Sequence, residues 1–510
     1  MSGTRRMRRV PGSVGALLLT ITLAGVVACG AQQPEPSATV FDDWVSQAPA
    51  TTNTAPKDAV ALSVGDERHS DGVVAAGAGD AVYNYAPTLL AEDGQVRMWW
   101  CSQYTSASPA GDDILYAVAD DVDGPYHGPE KSAPAAVLSG NQGAFDAVHT
   151  CDPSVIEVGG TYYMYYTGSA GERTHGNAIG LVTSKDGVHW KRADAGDAIV
   201  GPAHDEHRDN DYGAGQPAAV YLDGWFYLMF TDTTGADAGW NGAGQFVLRS
   251  TDPAFQREVQ ALGNDGFEPV SGTDARRGES VVDAFSVDLM WVDVLQAFAI
   301  AHETEDGTTF TFYNRDFSRQ PYKPVSVPGK WKEGPGILRQ PHGHAPISQD
   351  EPCGRVPLDV VRATTIGEGD APTALRHFGV DVTGVDGCES EESVLGVYQG
   401  VSMPSPVRTM DLVADGALVR VERRSVAELL ADRVVHERPE ALDEVSVSAR
   451  VPAGAPVLRT QDGEVGLLLD DTLWPVRGVD ATELAERNDS PLRRVSSRQW
   501  AEYPTGATLG

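Results

Sequence analysis

The sequence predicts an all-β fold: a five-bladed β-propeller with a smaller C-terminal α+β repeat region. Two observations carry the prediction. Runs of aromatic and β-branched residues, suited to a pleated and half-buried surface, are joined by Gly turns, as in Val155-Ile156, Gly159-Gly160 and Tyr162-Tyr163-Met164-Tyr165-Tyr166. The same layout recurs, with starts at 86, 152, 216, 286 and 345, at spacings of 66, 64, 70 and 59 residues. Four-stranded sheets repeated at a near-constant period cover one another's apolar faces and close into a propeller.

The elements follow in order. The first blade runs from Ala86-Pro87-Thr88-Leu89-Leu90 through Glu92-Asp93-Gly94 to Val96-Arg97-Met98-Trp99-Trp100-Cys101 and Ile114-Leu115-Tyr116. The second opens at His149-Thr150-Cys151-Asp152-Pro153-Ser154 and closes at Ser184-Lys185-Asp186-Gly187-Val188-His189-Trp190. The third runs from Gln216-Pro217 through Asp223-Gly224 to Trp225-Phe226-Tyr227-Leu228-Met229-Phe230, then Phe246-Val247-Leu248. The fourth, weaker, holds Ser286-Val287-Asp288-Leu289, Ala297-Phe298-Ala299-Ile300 and Phe310-Thr311-Phe312. The fifth is expected to start near Ala345-Pro346-Ile347 and return through Val356 to Ala363.

Around this core the expected plan is a leader at 1–29, a linker at 30–58, the propeller at 59–364 and the repeat module at 365–510. Arg5, Arg6, Arg8 and Arg9 precede a 15-residue apolar stretch, short of the ~20 residues a bilayer span needs. That stretch ends Val26-Val27-Ala28-Cys29-Gly30, which resembles a bacterial lipobox. The resemblance implies lipidation of Cys29 and anchorage on the extracytoplasmic face of the cell membrane. Residues 32–58, rich in Ala, Pro, Thr, Ser and Gln, suit a flexible tether.

The formal net charge is −33, and about −37 without a leader that carries four Arg and no acid. Phosphate binding needs a basic face, so nucleic acid is excluded as a main partner and a neutral ligand such as a sugar fits better. Beyond Cys29 the cysteines are Cys101, Cys151, Cys353 and Cys388, an even number in an exported chain. Cys101 ends the second strand of one blade and Cys151 begins the first strand of the next, on the same rim. The expected disulfides are therefore Cys101–Cys151 and Cys353–Cys388, and zinc is the poorer reading without a CxxC spacing.

Asp152-Pro153-Ser154-Val155-Ile156 followed by Gly160-Thr161-Tyr162-Tyr163-Met164-Tyr165-Tyr166-Thr167 is similar to the five-bladed propeller glycosidases of family 43 and its relatives in families 32, 62, 68 and 130. Ile179-Gly180 and Tyr212-Gly213-Ala214-Gly215-Gln216-Pro217 strengthen the likeness, which spans about 59–364. The resemblance implies three carboxyl groups around an axial pocket: an Asp base at the first blade's Asp-Pro, an Asp that tunes the acid, and a Glu acid in a later Glu-Gly-Pro. This chain has Ala86 and Gln216 at two such positions. Asp152 holds the Asp-Pro of the second blade, and Glu333-Gly334-Pro335 falls just before the fifth.

Glycoside hydrolysis needs one protonated and one ionised carboxyl group across the scissile bond. In each blade the start of strand one and the end of strand two share a rim, and only that rim supplies them. The candidates are Asp152 as base, Glu303 or Glu333 as acid, and Asp232 or Asp283 as tuner. Tyr85, Trp100, His149, Tyr166, Gln216, His302 and His344 are the expected substrate-binding residues, with His342 on the same rim. No cofactor is expected. A structural calcium is conceivable at His344, as in related propellers, or in the loop Asp205-Glu206-His207-Arg208-Asp209-Asn210-Asp211.

After about Thr365 two copies of one unit are expected, with Pro406-Val407-Arg408-Thr409 echoed by Pro456-Val457-Leu458-Arg459-Thr460, and helices near 426–433 and 481–487. They resemble small α+β repeats of secreted actinobacterial proteins thought to touch the cell surface. The functional expectation is an exported glycosidase acting on an arabinose- or xylose-type glycan. The competing expectations are a non-catalytic propeller binding envelope glycan or protein, and a phosphate-dependent enzyme of the family-130 type. The last would need pocket Arg or Lys, and the blade starts show none.

Overall fold

The computed structural model describes residues 56–510 except 76–80, 93, 105–111, 172–175, 305–306, 330–333, 366–372 and 462. The leader, Cys29 and most of the tether therefore lie outside the described residues. No described helix is long and apolar enough to cross a membrane.

The chain is mostly β. Strands β1 (Ser63–His69), β2 (Ala81–Glu92), β3 (Gln95–Tyr104), β4 (Asp112–Ala119) and β5 (Ala135–Leu138) come first. A second sheet holds β6 (His149–Glu157), β7 (Tyr162–Ser169), β8 (Ala178–Ser184) and β9 (Lys191–Arg192). A third holds β10 (Ala214–Leu222), β11 (Trp225–Asp232), β12 (Gln245–Ser250), β13 (Gln260–Gly263) and β14 (Gly266–Pro269). The fourth holds β15 (Val287–Val292), β16 (Ala297–Thr304), β17 (Gly307–Tyr313) and β18 (Val325–Pro328). Next come β19 (Gly336–Arg339), β20 (Arg355–Thr365) and β21 (Thr373–Thr383), with β1 pairing antiparallel to β21. A short parallel pairing of β19 with β2 joins this last group to β2–β5, giving the order β1-β21-β20-β19-β2-β3-β4-β5.

Side-chain alternation explains how the sheets pack. Successive strand residues face opposite sides. Trp99 therefore packs with Tyr116, Met164 and Tyr166 against the second sheet, while Trp100 packs with Leu115, Val361 and Leu375 against the last. Further apolar clusters join the second sheet to the third (Tyr165, Leu181, Phe230, Leu248), the third to the fourth (Met229, Val247, Leu289, Phe298) and the fourth to the last (Phe310, Phe312, Leu358, Val380). The innermost strands touch in the same cyclic order: β2, β6, β10, β15, β19 and back to β2.

Arg339 lies where these strands converge and is fully buried. Its Nη1 donates to the carbonyls of Ala219 (3.0 Å) and Leu289 (2.9 Å), and Nη2 to Thr88 Oγ1 (2.8 Å) and the Val155 carbonyl (3.3 Å). One guanidinium on β19 thus ties together β2, β6, β10 and β15. Below it, residues 340–345 cross the far ends of the strands. The carbonyls of Pro341, His342 and Gly343 accept from the N–H groups of Glu157, Tyr221 and Trp291. Gly343 (φ +82°) passes so close that a Cβ would lie 3.0 Å from the Ala219 carbonyl.

Two sequence expectations shift here. The last inner strand starts at Gly336, not near Ala345, and that sheet continues through β21 to Thr383, past the boundary expected at 364. The disulfides Cys101–Cys151 and Cys353–Cys388 are both present, with Cα–Cα distances of 4.8 and 5.3 Å.

The C-terminal part is a duplication. Strands β22 (Val401–Pro404), β23 (Met410–Ala414), β24 (Ala417–Val421), β25 (Arg433–Val434) and β26 (Val447–Val451) form one sheet, and β27 (Val457–Arg459), β28 (Val465–Leu469), β29 (Thr472–Val476) and β30 (Leu492–Arg494) another. In each copy the first strand pairs antiparallel with the second and parallel with a strand after the helix. After α1 (Glu391–Val397), the two copies contribute α2 (Arg424–Leu430) and α3 (Ala481–Asn488) to a shared core. By the hairpin registers Ser402 therefore matches Val457, not the Pro406–Pro456 pairing read from sequence. The module sits against the strand ends remote from β15's start: α1 packs on Asp293–Leu295, and a Cβ on Gly159 would lie 3.3 Å from Arg477.

A charged clasp binds β1 to the last sheet and to the turn after β4. Arg68 donates to Asp359 (2.6 and 2.9 Å) and Asp381 (2.7 Å), and buried His377 lies between Asp123 (2.6 Å) and Asp359 (2.8 Å). Burial works against the His377 cation, but the two aspartates raise its pKa above the ordinary value; burial likewise works against the Asp359 anion, but His377 and Arg68 lower its pKa below the ordinary value. A raised His pKa stabilises fully below ~6.5 and is lost as pH rises through the folded value, whereas the Asp359 share is lost on acidification below ~3.9. Thermal melts should therefore show Tm falling as pH rises above ~6.5, and His377→Gln should flatten that slope. An unchanged slope would remove the clasp from the stability profile.

Candidate active site

The candidate site is built by one backbone device used repeatedly. Ala86, Asp152, Gln216 and Gly334 each have positive φ (40°, 49°, 51° and 60°), and each precedes a proline. Positive φ is uncommon for a residue with a Cβ. At the first three the ladder register slips, between Tyr85 and Thr88, Cys151 and Ser154, and Gly215 and Ala218. Such bulges kink the strand and re-aim a side chain. The kinked residues, their prolines and Ser286-Val287-Asp288 of the fourth sheet line one pocket. It encloses about 270 Å³ of non-atom space, open to solvent. Arg339 and residues 340–345 close the strands beyond it, so the pocket has one mouth.

Among the described residues two carboxyl groups line it, with different partners. Asp152 is buried, and burial raises its pKa; the His149 charge and hydrogen bonds from the Thr167 and Tyr212 hydroxyls act the other way. His149, also buried, is held through Nδ1 by the Asp112 carboxylate. Asp288 is buried too, and burial raises its pKa against a local set that favours the anion. Its Oδ1 accepts from the Leu289 N–H (2.8 Å) and lies 3.3 Å from Arg339 Nη1, and its Oδ2 accepts from the Ile337 N–H (2.8 Å).

The other expected residues spread over the molecule. Gln216 lines the pocket, its N–H donating to Thr167 Oγ1 (2.7 Å). Tyr85 adjoins Ala86 but is buried against Tyr83, with ring centroids 5.1 Å apart. Trp100 and Tyr166 are core residues: their polar atoms bind Asn84 Oδ1 (2.8 Å) and Asp146 Oδ2 (2.9 Å). Asp232 is a fully buried scaffold acid, accepting from Arg277 Nε (3.1 Å), the Ala203 N–H (2.8 Å) and Thr234. Asp283 is exposed on the loop before β15.

Glu303 and His302 end β16 but are not among the residues lining the pocket. Glu303 accepts from Thr308 (3.1 Å) and faces Arg362 (4.0 Å) between the fourth and last sheets, where burial pushes its pKa up to about 7. His302, bonded to Thr311 (3.1 Å), is pushed down to about 4 by burial. His344 sits at the opposite end of the strands, both ring nitrogens engaged, by Asp293 (2.9 Å) and the Tyr221 carbonyl (3.0 Å). Glu333 lies outside the described residues; the adjoining Gly334 is the fourth of the kinked residues and lines the pocket with Pro335.

Among the described residues one group of potential metal donors comes together. Asp112, His149 and the Cys151 sulfur cluster within 4.8 Å, but that sulfur is bound in a disulfide and offers no thiolate. In the 205–211 loop, the Arg208 guanidinium donates to the carbonyls of Thr233, Gly235 and Ala238, and Asp205 Oδ2 accepts from the N–H groups of Ala236 and Arg277. Sequence reasoning missed Asp288, Tyr212 and Asp112. The signal for Asp288 was weak, because the fourth start lacks the X-Pro kink and its acid sits two residues further on.

No family model matches the chain. Among solved structures it is similar to a family 117 glycoside hydrolase of the marine bacterium Zobellia galactanivorans, at TM-score 0.44 and 12% identity over 63% of this chain and 91% of that one. It is also similar to the catalytic domain of a Coprinopsis cinerea GH62 α-L-arabinofuranosidase, at TM-score 0.38 and 12% identity over 62% and 97%. A GH130 glycoside hydrolase structure described as targeting β-1,2 mannosidic linkages in Candida mannan aligns at TM-score 0.37 and 12% identity over 61% and 94%. The structural neighbours named here are thus glycoside hydrolases, at identities too low to speak of substrate.

Proposed function

We propose that the β-rich part of the chain is a five-bladed propeller whose axial pocket takes the terminal residue of a neutral glycan and hydrolyses its glycosidic bond. The cyclic order of apolar clusters and inner strands supports the ring. The observation that carries the activity is that Asp152 and Asp288, from two different inner strands, line one small pocket with unlike surroundings. Arg339 and two N–H groups favour the anion at Asp288, the base. Burial raises the pKa of both carboxyls and each has partners that favour its anion; Asp288, next to the Arg339 cation, is assigned as the base and Asp152 as the acid, the reverse of its role as the expected base. A pocket closed beneath by Arg339 and residues 340–345 favours removal of one terminal sugar, of the arabinose or xylose kind, over cleavage within a chain.

Ala86 and Gln216 at equivalent kinks favour a second reading, a propeller that binds envelope glycan without cutting it. Phosphate-dependent transfer is not favoured, because the described lining residues include no Arg or Lys and Arg339 is engaged beneath them. We further propose lipid anchorage at Cys29. The C-terminal module is further proposed to contact the cell envelope.

The test is turnover of nitrophenyl arabinosides and xylosides and of end-labelled oligosaccharides by purified protein. Single monosaccharides should be released, and Asp288→Asn should lower kcat/KM by about 10²–10⁴. Equal turnover by the variant would sink the assignment, and binding without release would favour the second reading.

A further inference from the structure

We propose that Trp240 is a sugar platform at the pocket mouth, taking the neutral sugar unit next to the one held by Asp152 and Asp288. The inference rests on the reading of the pocket as a glycan site. Trp240 is the one aromatic among the exposed large apolar side chains of the described residues, at 39% exposure. It opens the turn Trp240–Gly242 in the loop between β11 and β12.

That turn is held firmly. The Gly239 N–H donates to the Ala243 carbonyl (2.6 Å), the Ala243 N–H to the Trp240 carbonyl (2.9 Å), and Asn210 Nδ2 to the Asn241 carbonyl (2.9 Å). Gly242 (φ +89°) passes so near the end of β11 that a Cβ would lie 2.7 Å from Thr233 Cβ. A held loop presents the indole without an ordering cost on binding.

The indole is continuous with the pocket. It meets the Phe285 ring edge-on at 6.4 Å, and Phe285 forms a small buried cluster with Tyr212 and Ala243. Tyr212 lies close enough to Asp152 to lower its pKa, and Phe285 directly precedes Ser286 of the pocket lining. The exposed indole thus rests on buried rings that lead toward the acid. Beside it, Gly239 leaves room for the Asp283 carboxyl, whose Oδ1 lies 3.0 Å from where a Cβ would stand. An apolar ring face next to a carboxylate suits a sugar: its C–H face lies on the ring and a hydroxyl donates to the acid. Asp237 and Glu279 nearby make the mouth acidic, so uronic acids are disfavoured.

The experiment compares Trp240→Ala and Trp240→Phe with the unaltered protein on nitrophenyl monoglycosides and on neutral oligosaccharides, with binding followed separately by calorimetry. Trp240→Ala should raise KM and Kd for oligosaccharides five- to tenfold, leave kcat and the monoglycosides unchanged, and be largely rescued by Trp240→Phe. Oligosaccharides handled equally by all three proteins would overturn the platform while leaving the pocket reading intact. Binding without cleavage that Trp240→Ala weakens would uphold the platform and remove hydrolysis. No binding of any neutral oligosaccharide by the unaltered protein would overturn both.

Discussion

Replacing Arg339 by methionine is expected to lower the unfolding free energy by about 3–5 kcal/mol, a large part of the ~5–15 kcal/mol typical of a folded domain. The substitution nearly conserves volume but removes bonds to four neighbouring strands and leaves the buried Asp288 carboxylate without its cation. Arg339→Lys should rescue little. A single ammonium cannot reproduce a planar fork reaching the Thr88 hydroxyl and three carbonyls at once. Adding Asp288→Asn to Arg339→Met should recover part of the loss, because the unpaired charge goes with it. Urea unfolding of the single and double variants measures this as a coupling energy. An Arg339→Met protein within about 1 kcal/mol of the original would mean that the axial guanidinium does not hold the strands together.

Sequence pattern reached the strand pairs more easily than the site, and the reason lies in what alternation encodes. Trp99-Trp100 or Tyr165-Tyr166 announces a strand covered on both faces, but nothing in such a pair says which face meets a ligand. In this fold both meet neighbouring sheets, so Trp100 and Tyr166 became core. The last inner strand was hidden because Gly336-Ile337-Leu338-Arg339 is only four residues long and its return, β20, begins sixteen residues after it ends. Asp152 was legible because proline after it marks a kink. Asp288, with no proline, reads as an ordinary alternating strand residue. Position along a strand also leaves open where a side chain points: Asp232 and Glu303 end their strands as expected, but one is held by Arg277 and the other faces Arg362. Arg339 reads as a surface cation until the topology surrounds it with four other strands.

If Asp152 is the proton donor, Asp152→Asn should lower kcat by about 10²–10⁴ while leaving sugar binding in place. The pH profile tests the role more sharply. A donor must be protonated, so activity should fall at high pH as Asp152 ionises. Burial raises the pKa that sets this limb, and the charge of His149, held by Asp112, lowers it. His149→Asn removes that charge, so the Asp152 pKa rises and the alkaline limb should move to higher pH. The limb position reads only the active fraction, so it survives partial loss of folded protein. Glu303 is the competing source of a limb near neutrality, because its pKa stands at about 7. Glu303→Gln should leave the limb where it is, since that carboxyl faces Arg362 and not the pocket. A shift of the acidic limb on His149→Asn would make Asp152 the base and Asp288 the donor. A limb that follows Glu303 instead would move the chemistry to the gap between the fourth and last sheets.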